Sequence, residues 1–269
     1  MGRLNVLLIY ATDIRNAYLE ANTQEKVYII AGPEFVPLGG HTFVMNKALY
    51  GLRSSGLRWH EKLTDSLRVM NFIATKAKDD IWMRKNGNLY EYIASYVDDL
   101  CIVAREPMNI INESEKSHGY KLKGTGPISY HLDCSYFTES DGNLAYAPRK
   151  YITKLIEDFI AMFGHNPKQY TSPWESGDHP ELDTSQKLEV NDIIKYQSLI
   201  SSLQWAISLG CFDSYTAIMS ISSFRAFPRQ GHLKRSQRIY IYLAKHKDSA
   251  IRICISQPNC KNLKLTEYD

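Results

Sequence analysis

The chain lacks cysteines at metal-binding or redox spacing. Its five cysteines are spread over 269 residues, with only Cys254 and Cys260 near each other, and no Cys-x-x-Cys or Cys/His pattern occurs. A zinc site, a thioredoxin-like centre and a disulfide scaffold are therefore not predicted. Reduced, structural thiols indicate an intracellular protein.

Long apolar runs, repeats and a large net charge are lacking as well. The run from Leu4 to Ala11 is followed by Asp13 and by no small-residue cleavage pattern, which argues against a signal peptide. The uncharged stretch from Tyr196 to Phe212 contains Ser and Gln, so a soluble helix is predicted instead of a membrane span. With a net charge of only +3, nucleic-acid binding would need locally clustered basic residues.

Two adjacent carboxylates, Asp98 and Asp99, lie between the strand-like runs Tyr92 to Ala94 and Leu100 to Val103. This pattern predicts a β-hairpin with the acids at its tip. Because neighbouring side chains on a strand point to opposite faces, both acids can serve one metal cluster only where the backbone turns sharply. The alternative is an ordinary acidic turn.

Asp13 ends a second strand-like run that begins at Val6. If this strand lies beside the hairpin, three carboxylates converge where two divalent cations could bind about 3.5–4 Å apart. Such a site serves phosphoryl transfer, and its hard oxygen ligands favour Mg²⁺. The alternative is that the three acids are unrelated residues at turns and strand ends.

Periodicity predicts strands and helices in the first half of the chain and mostly helices in the second. Apolar residues recur at three- and four-residue spacing from Leu57 to Phe72, which predicts a helix. Further strands are predicted at Val27 to Ile30 and Thr42 to Met45, further helices at Tyr151 to Phe163 and from Tyr196 onward, and a linker at Pro167 to Ser185.

Several motifs together resemble the reverse transcriptase domain of Ty1/copia-type retrotransposon Pol polyproteins. They occur in the family's order over nearly the whole chain, and five or six of them at family spacing make the resemblance specific. The motifs begin at Asp13 (DIRNAYLE), Glu25 (EKVY), Lys47 (KALYGLR), Tyr96 (YVDD), Tyr196 (YQSLI) and Gly231 (GHLK).

The resemblance implies an α+β fold, a right-hand polymerase palm with partial fingers over residues 1–140, a helical thumb or connection over 145–255 and a tail over 256–269. It implies an RNA-directed DNA polymerase in which a primer 3′-hydroxyl attacks a deoxynucleoside triphosphate with two Mg²⁺ ions, or Mn²⁺ in their place. The implied partners are an RNA or DNA template–primer and, in a full polyprotein, ribonuclease H and integrase domains, without a membrane. The implied location is a cytoplasmic virus-like particle or the nucleus.

The resemblance also assigns the acids their roles. Asp13, Asp98 and Asp99 are the implied catalytic residues and metal ligands, and the backbone carbonyl of Ile14 is a further implied oxygen donor. After these ligands come Lys121 and Lys123, either of which could donate a proton to the departing pyrophosphate by analogy. The alternative for both lysines is a solvated surface position.

The implied nucleotide site lies around two tyrosines. Tyr18, next to Ala17, matches an aromatic residue beneath the sugar, where a ring excludes a 2′-hydroxyl. Tyr50 and Gly51 match the floor of the nucleotide and template-base pocket, because glycine lets the backbone approach the substrate. The chain has Ser-Ser-Gly ending at Gly56 where the family commonly has Gln-Ala-Pro, so a looser turn is expected.

A basic segment from Arg225 to Lys247 contains no acidic residue. Apolar residues recur within it at helical spacing, so one face could pack while the other meets phosphates, with an affinity that falls as salt rises. The alternative is a solvated basic helix. The predicted nucleic-acid-binding residues are Arg225, Arg229, Lys234, Arg235 and Arg238.

Two functions compete with polymerase activity. Because Asp13 lies close to the start of the sequence, the fingers strands that precede this motif in the family are expected to be missing, which favours an inactive transposon remnant. A pure nucleic-acid-binding module would bind in a salt-sensitive way, indifferent to Mg²⁺ and to Asp98.

Overall fold

A computed structural model describes residues 7–164 and 170–253 of the chain. The chain divides into two compact units between Ile128 and Ser129. The expected tail over 256–269 lies outside the described residues, as does the beginning of the predicted linker. The described part of that linker, residues 170–185, belongs to the second unit.

The first unit is built on a six-stranded sheet with the strand order β4-β5-β6-β7-β1-β8, in which every neighbouring pair is antiparallel. The first unit contains the strands β1 (Leu8–Ile14), β2 (Asn22–Ile30), β3 (Thr42–Lys47), β4 (Ile73–Ala74), β5 (Ile81–Asn86), β6 (Leu89–Tyr96), β7 (Asp99–Ala104) and β8 (Leu122–Pro127), of which β2 and β3 lie outside this sheet. Its helices are α1 (Ala17–Glu20), α2 (Ser55–Val69) and α3 (Pro107–His118).

The core of the first unit joins α2 and α3 to the sheet. The α2 residues Trp59, Leu63 and Leu67 are buried together with Ile93 and Ile102 of the sheet. Their spacing of four along α2 is the apolar stripe that predicted this helix. The helix is confirmed, although it ends at Val69, shortly before Asn71 takes a positive φ of 63°.

The strands β2 and β3 form a separate two-stranded sheet. Several of their apolar side chains are exposed, including Tyr28, Ile30 and Val44. A two-stranded hairpin is only marginally stable by itself. These two strands are therefore the least supported sheet among the described residues of the first unit.

The second unit combines helices with a four-stranded sheet of order β12-β11-β10-β9. Its helices, α4 (Arg149–Phe163), α5 (Val190–Ser208), α6 (Tyr215–Ser222) and α7 (Gln230–Lys245), bury a common core. Its strands are β9 (Tyr130–His131), β10 (Cys134–Thr138), β11 (Leu144–Ala147) and β12 (Ile251–Ile253). The helices at Tyr151 and Tyr196 are confirmed, whereas the sheet was not predicted because its strands are short.

In the described part of the chain, no helix combines the length and the apolar character that crossing a membrane requires.

Candidate active site

The predicted acidic hairpin is formed by β6 and β7. Tyr96 pairs with Asp99 at the end of the two strands, so Val97 and Asp98 make a two-residue turn, here called the catalytic turn. Val97 has a φ of 55°, which is unusual for a β-branched residue. The acids therefore stand at a tight turn whose backbone must be held in an unfavourable conformation.

Asp13 lies directly beside this turn. β1 pairs antiparallel with β7, and Asp13 is opposite Asp99 in the register. Opposed residues of an antiparallel pair place their side chains on the same face, with Cα atoms about 4.5–5.5 Å apart. In addition, the Ile14 amide donates a hydrogen bond of 2.8 Å to the Asp98 carbonyl. Folding thus brings together Asp13, Ile14, Asp98 and Asp99, which are far apart in sequence.

Lys123, one of the two candidate proton donors, lies on the side of Asp13 that faces away from β7. β8 pairs with β1 across an irregularity in register that places Lys123 opposite Asp13, and Lys123 Nζ lies 3.1 Å from Asp13 Oδ1. The distance is that of an ion pair, yet this enclosed oxygen receives no hydrogen bond of good geometry. We regard the contact as a charge interaction, because Lys123 is half-exposed and a flexible ammonium group needs no fixed direction.

The donor atoms at these strand ends suit a divalent cation. Carboxylate and carbonyl oxygens are the ligands that Mg²⁺ prefers, and Asp13 Oδ1 is an enclosed oxygen that lacks a hydrogen-bond donor. Over residues 7–164 and 170–253, however, no three His, Cys, Asp or Glu side chains are already gathered around one point. Adjacent carboxylates repel one another unless a cation lies between them, so such a site closes only on its ion.

The residues of the predicted nucleotide site lie next to the acids. The rings of Tyr18 and Tyr50 are 4.4 Å apart between centroids. Burial, and after it the negative charge of Asp98, raises the pKa of Tyr50, so its ring lies near the catalytic turn. Gly51 has a φ of 97°, a conformation that favours glycine. Ala17 is buried at the start of α1, where it supports Tyr18 without exposing a surface.

A cavity of about 220 Å³ borders the catalytic turn on the side of α2. Its lining includes Tyr18, Gly56, Trp59, Tyr96 and Val97. The indole N–H of Trp59 donates a hydrogen bond of 2.6 Å to the Val97 carbonyl. This contact could not be predicted, because the sequence pattern places Trp59 only on the apolar stripe of α2.

The predicted nucleic-acid-binding residues belong to the second unit, most of them on α7. Arg235 forms ion pairs with Asp178, at 2.6 Å, and with Asp183. Arg229 donates a hydrogen bond to the Ser185 carbonyl, and Arg238 lies over the ring of Tyr170. The segment over residues 170–185 is here called the acidic strap. It contacts three of the five predicted residues, namely Arg229, Arg235 and Arg238.

The two remaining predicted nucleic-acid-binding residues are Arg225 and Lys234. Arg225 follows α6 and donates a hydrogen bond to Ser201 Oγ, while Lys234 is exposed on α7. Phosphate binding by any of the five residues stays a prediction. Of the five, Arg235 has the most complete set of contacts within the fold.

The strands β9 and β10 form a hairpin in the second unit. Leu132 and Asp133 both have positive φ values, 45° and 59°, at its two-residue turn. Asp tolerates this conformation better than most residues, because its short polar side chain can form local hydrogen bonds. Its carboxylate accepts hydrogen bonds from the Tyr130 hydroxyl and from Trp205 Nε1.

Comparison with known proteins agrees with this geometry. A family profile described as "Reverse transcriptase (RNA-dependent DNA polymerase)" matches residues 4–173. The chain belongs to this reverse transcriptase family. Its acids, at the ends of interior strands of an antiparallel sheet, accordingly lie in a polymerase palm fold.

Individual relatives point to the same group of retrotransposons. A putative transposon Ty5-1 protein of Saccharomyces cerevisiae is 25% identical over 95% of this chain and 81% of its own length. Retrovirus-related Pol polyproteins from transposon RE1 of Arabidopsis thaliana and from transposon TNT 1-94 of Nicotiana tabacum are 26% and 24% identical, each over 86% of this chain. The chain spans only 16% and 18% of those two polyproteins.

Proposed function

We propose that the chain is the reverse transcriptase portion of a copia-type Pol polyprotein and extends a primer with deoxynucleotides on an RNA or DNA template. The observation that carries this proposal is the register that sets Asp13 opposite Asp99, beside the turn that bears Asp98. Membership of the family and the names of the Pol relatives support it.

The proposed roles follow from position. Asp13, Asp98, Asp99 and the carbonyl oxygen of Ile14 would hold a pair of Mg²⁺ ions. Such ions activate a 3′-hydroxyl and neutralise the triphosphate. The paired rings of Tyr18 and Tyr50 offer an apolar surface for the sugar and base of the incoming nucleotide. The chain's own contribution is to position the reactants and to stabilise charge.

We also propose that β2 and β3 are part of the fingers and that the second unit is the thumb or connection. The exposed apolar side chains of β2 and β3 support the first assignment, because such a ribbon needs a further layer to cover it. In the relatives, the polyproteins are several times longer than this chain. Additional Pol domains, including ribonuclease H and integrase, are therefore proposed partners.

A catalytically inactive remnant that binds nucleic acid is the second candidate. One observation favours it: Lys123 already lies against Asp13, where a metal ion would bind. Both functions predict salt-sensitive binding to a template–primer. Only the polymerase requires the acids.

Primer extension on a homopolymer template with Mg²⁺ tests the proposal. We expect extension by the wild-type chain and a loss of at least about a hundredfold in Asp98→Asn, because charge-stabilising groups contribute rate factors of this size. Asp65→Asn is the matched control, since Asp65 is an exposed α2 residue paired only loosely with Arg68. Equal extension by the two variants would contradict the proposed role of Asp98, and no extension by any of the three chains would favour the remnant.

A further inference from the structure

The catalytic turn depends on a conformation that its sequence does not favour. Val97 has a φ of 55°, and a β-branched side chain in the left-handed region is disfavoured. Asp98 and Asp99 follow immediately, so any relaxation of Val97 changes the direction of both carboxylates. Something outside the turn must therefore hold it.

Packing on the α2 side provides little of this support. A cavity of about 220 Å³ lies there, lined in part by Tyr96 and Val97 themselves. Both side chains are substantially exposed. Directed polar contacts to the backbone of the turn are left as its main restraint on that side.

Trp59 makes such a contact. Its indole N–H donates a hydrogen bond of 2.6 Å to the carbonyl oxygen of Val97. The orientation of that carbonyl is set by the Val97 backbone, so the bond restrains the strained residue itself. The Ile14 amide holds the next carbonyl, that of Asp98, from the side of β1.

The indole is itself held firmly. Trp59 is buried and contacts the ring of Tyr120 edge-on, with centroids 5.7 Å apart. The Tyr120 hydroxyl shares a hydrogen bond of 2.6 Å with Ser66 Oγ, about two turns after Trp59 along α2. A buried side chain fixed in this way is a rigid donor.

We propose that Trp59 is a positioning residue that holds Val97 in its left-handed conformation and thereby aims Asp98 and Asp99. The proposal rests on the proposed polymerase function for its consequence in catalysis, but the restraint on the turn is a property of the fold alone. The role that it assigns to Trp59 in the active site acts through the Val97 carbonyl.

Trp59→Phe tests the proposal, because it removes the N–H and keeps an aromatic ring. Trp82→Phe is the matched control: Trp82 is buried in the same core, and its indole nitrogen has no hydrogen-bond partner in the described part of the chain. The two changes remove similar apolar area, so the loss of packing in the core is matched between them. Only the first removes a hydrogen bond to the turn.

The main measurement is amide hydrogen exchange at Ile14, whose N–H bonds to the Asp98 carbonyl. We expect about tenfold faster exchange in Trp59→Phe than in Trp82→Phe, the factor corresponding to one typical hydrogen bond. Mn²⁺ affinity should fall in the same variant, measured by titration, and in primer extension kcat should fall more than KM changes. A Val97→Gly change in the Trp59→Phe background should recover part of the loss, because glycine adopts positive φ without strain.

Equal Ile14 exchange in Trp59→Phe and Trp82→Phe overturns the proposal, whatever the activity. Faster exchange only in Trp59→Phe, in a chain that never extends a primer, upholds the restraint on the turn and defeats the proposed function instead. The two hypotheses therefore fail separately.

Discussion

At the scale of single residues, the contact between Lys123 and Asp13 is the feature with the clearest chemical consequence. An ammonium group 3.1 Å from a carboxylate oxygen occupies the position of a divalent cation and neutralises the charge that would attract it. Lys123 is half-exposed, so its attraction to Asp13 is screened by water and it can move aside. The lysine therefore acts as a competitor for the acid before a metal ion binds.

Lys123→Gln should consequently strengthen metal binding in the absence of nucleotide. We expect about threefold to tenfold tighter Mn²⁺ binding by titration, because removing a like charge a few ångströms from the site relieves repulsion that water only partly screens. Lys121→Gln is the control, since it removes an equal charge two residues away. Unchanged affinity in Lys123→Gln would show that the lysine does not compete.

The acids of this site could be predicted from sequence, whereas the contacts that Lys123 and Trp59 make there could not. The hairpin at Asp98 follows from a local pattern of apolar runs around a polar tip, and Asp13 from a similar run. The partners Lys123 and Trp59 depend on the register of β8 and on the direction of α2, which are set by the whole fold. A shift of one residue would have turned Lys123 to the other face of the sheet.

At the scale of elements, α7 is a basic helix whose charge is partly neutralised by acids far away in the sequence. No acid occurs between Arg225 and Lys247, yet Arg235 pairs with Asp183 and Asp178, which lie 52 and 57 positions earlier in the chain. The helical spacing in this segment was sufficient to predict α7. Its charge balance was not predictable, because the acidic strap belongs to an irregular segment.

Arg235→Met should therefore destabilise the second unit. We expect a loss of about 3 kcal/mol in the free energy of unfolding, because removing one partner leaves largely buried carboxylates without their counter-charge. Urea denaturation followed by circular dichroism measures this loss. Lys234→Met, which removes an exposed charge on the next residue of the same helix, should leave stability almost unchanged and instead reduce the salt dependence of nucleic-acid binding.

The opposite result for these two variants would indicate a different role for Arg235. If Arg235→Met left stability intact and weakened binding to a template–primer, the arginine would be a phosphate contact that the strap merely covers. The same pair of variants thus separates a structural role from a binding role. Arg238, which lies over Tyr170 and near Glu175, is expected to behave between the two.

At the scale of the whole molecule, the two units have separate cores, and the second contains the ion pairs of Arg235. Asp178 and Asp183 lie in the second unit, and both carboxyl groups have a lowered pKa. Hydrogen bonding by Arg235 is the main cause for Asp178. Burial by itself would raise the pKa of Asp183, but hydrogen bonds from Ser185 and Arg235 outweigh burial and hold it at about 2. The second unit should therefore be sensitive to acid.

The sign and the pH range follow from proton linkage. Above about pH 4, Asp183 is ionised in the folded and the unfolded chain, and its interactions contribute fully. As the pH falls from about 4 to 2, the unfolded chain takes up a proton first, and about 2 kcal/mol of stability is lost. Urea denaturation at several pH values should show this loss, with fluorescence of Trp174 as a local probe because its indole N–H bonds to the Asp178 carbonyl. Asp183→Asn should be less stable at pH 6 and should lose less stability between pH 4 and 2; parallel curves for the variant and the wild type would contradict the assignment of acid sensitivity to Asp183.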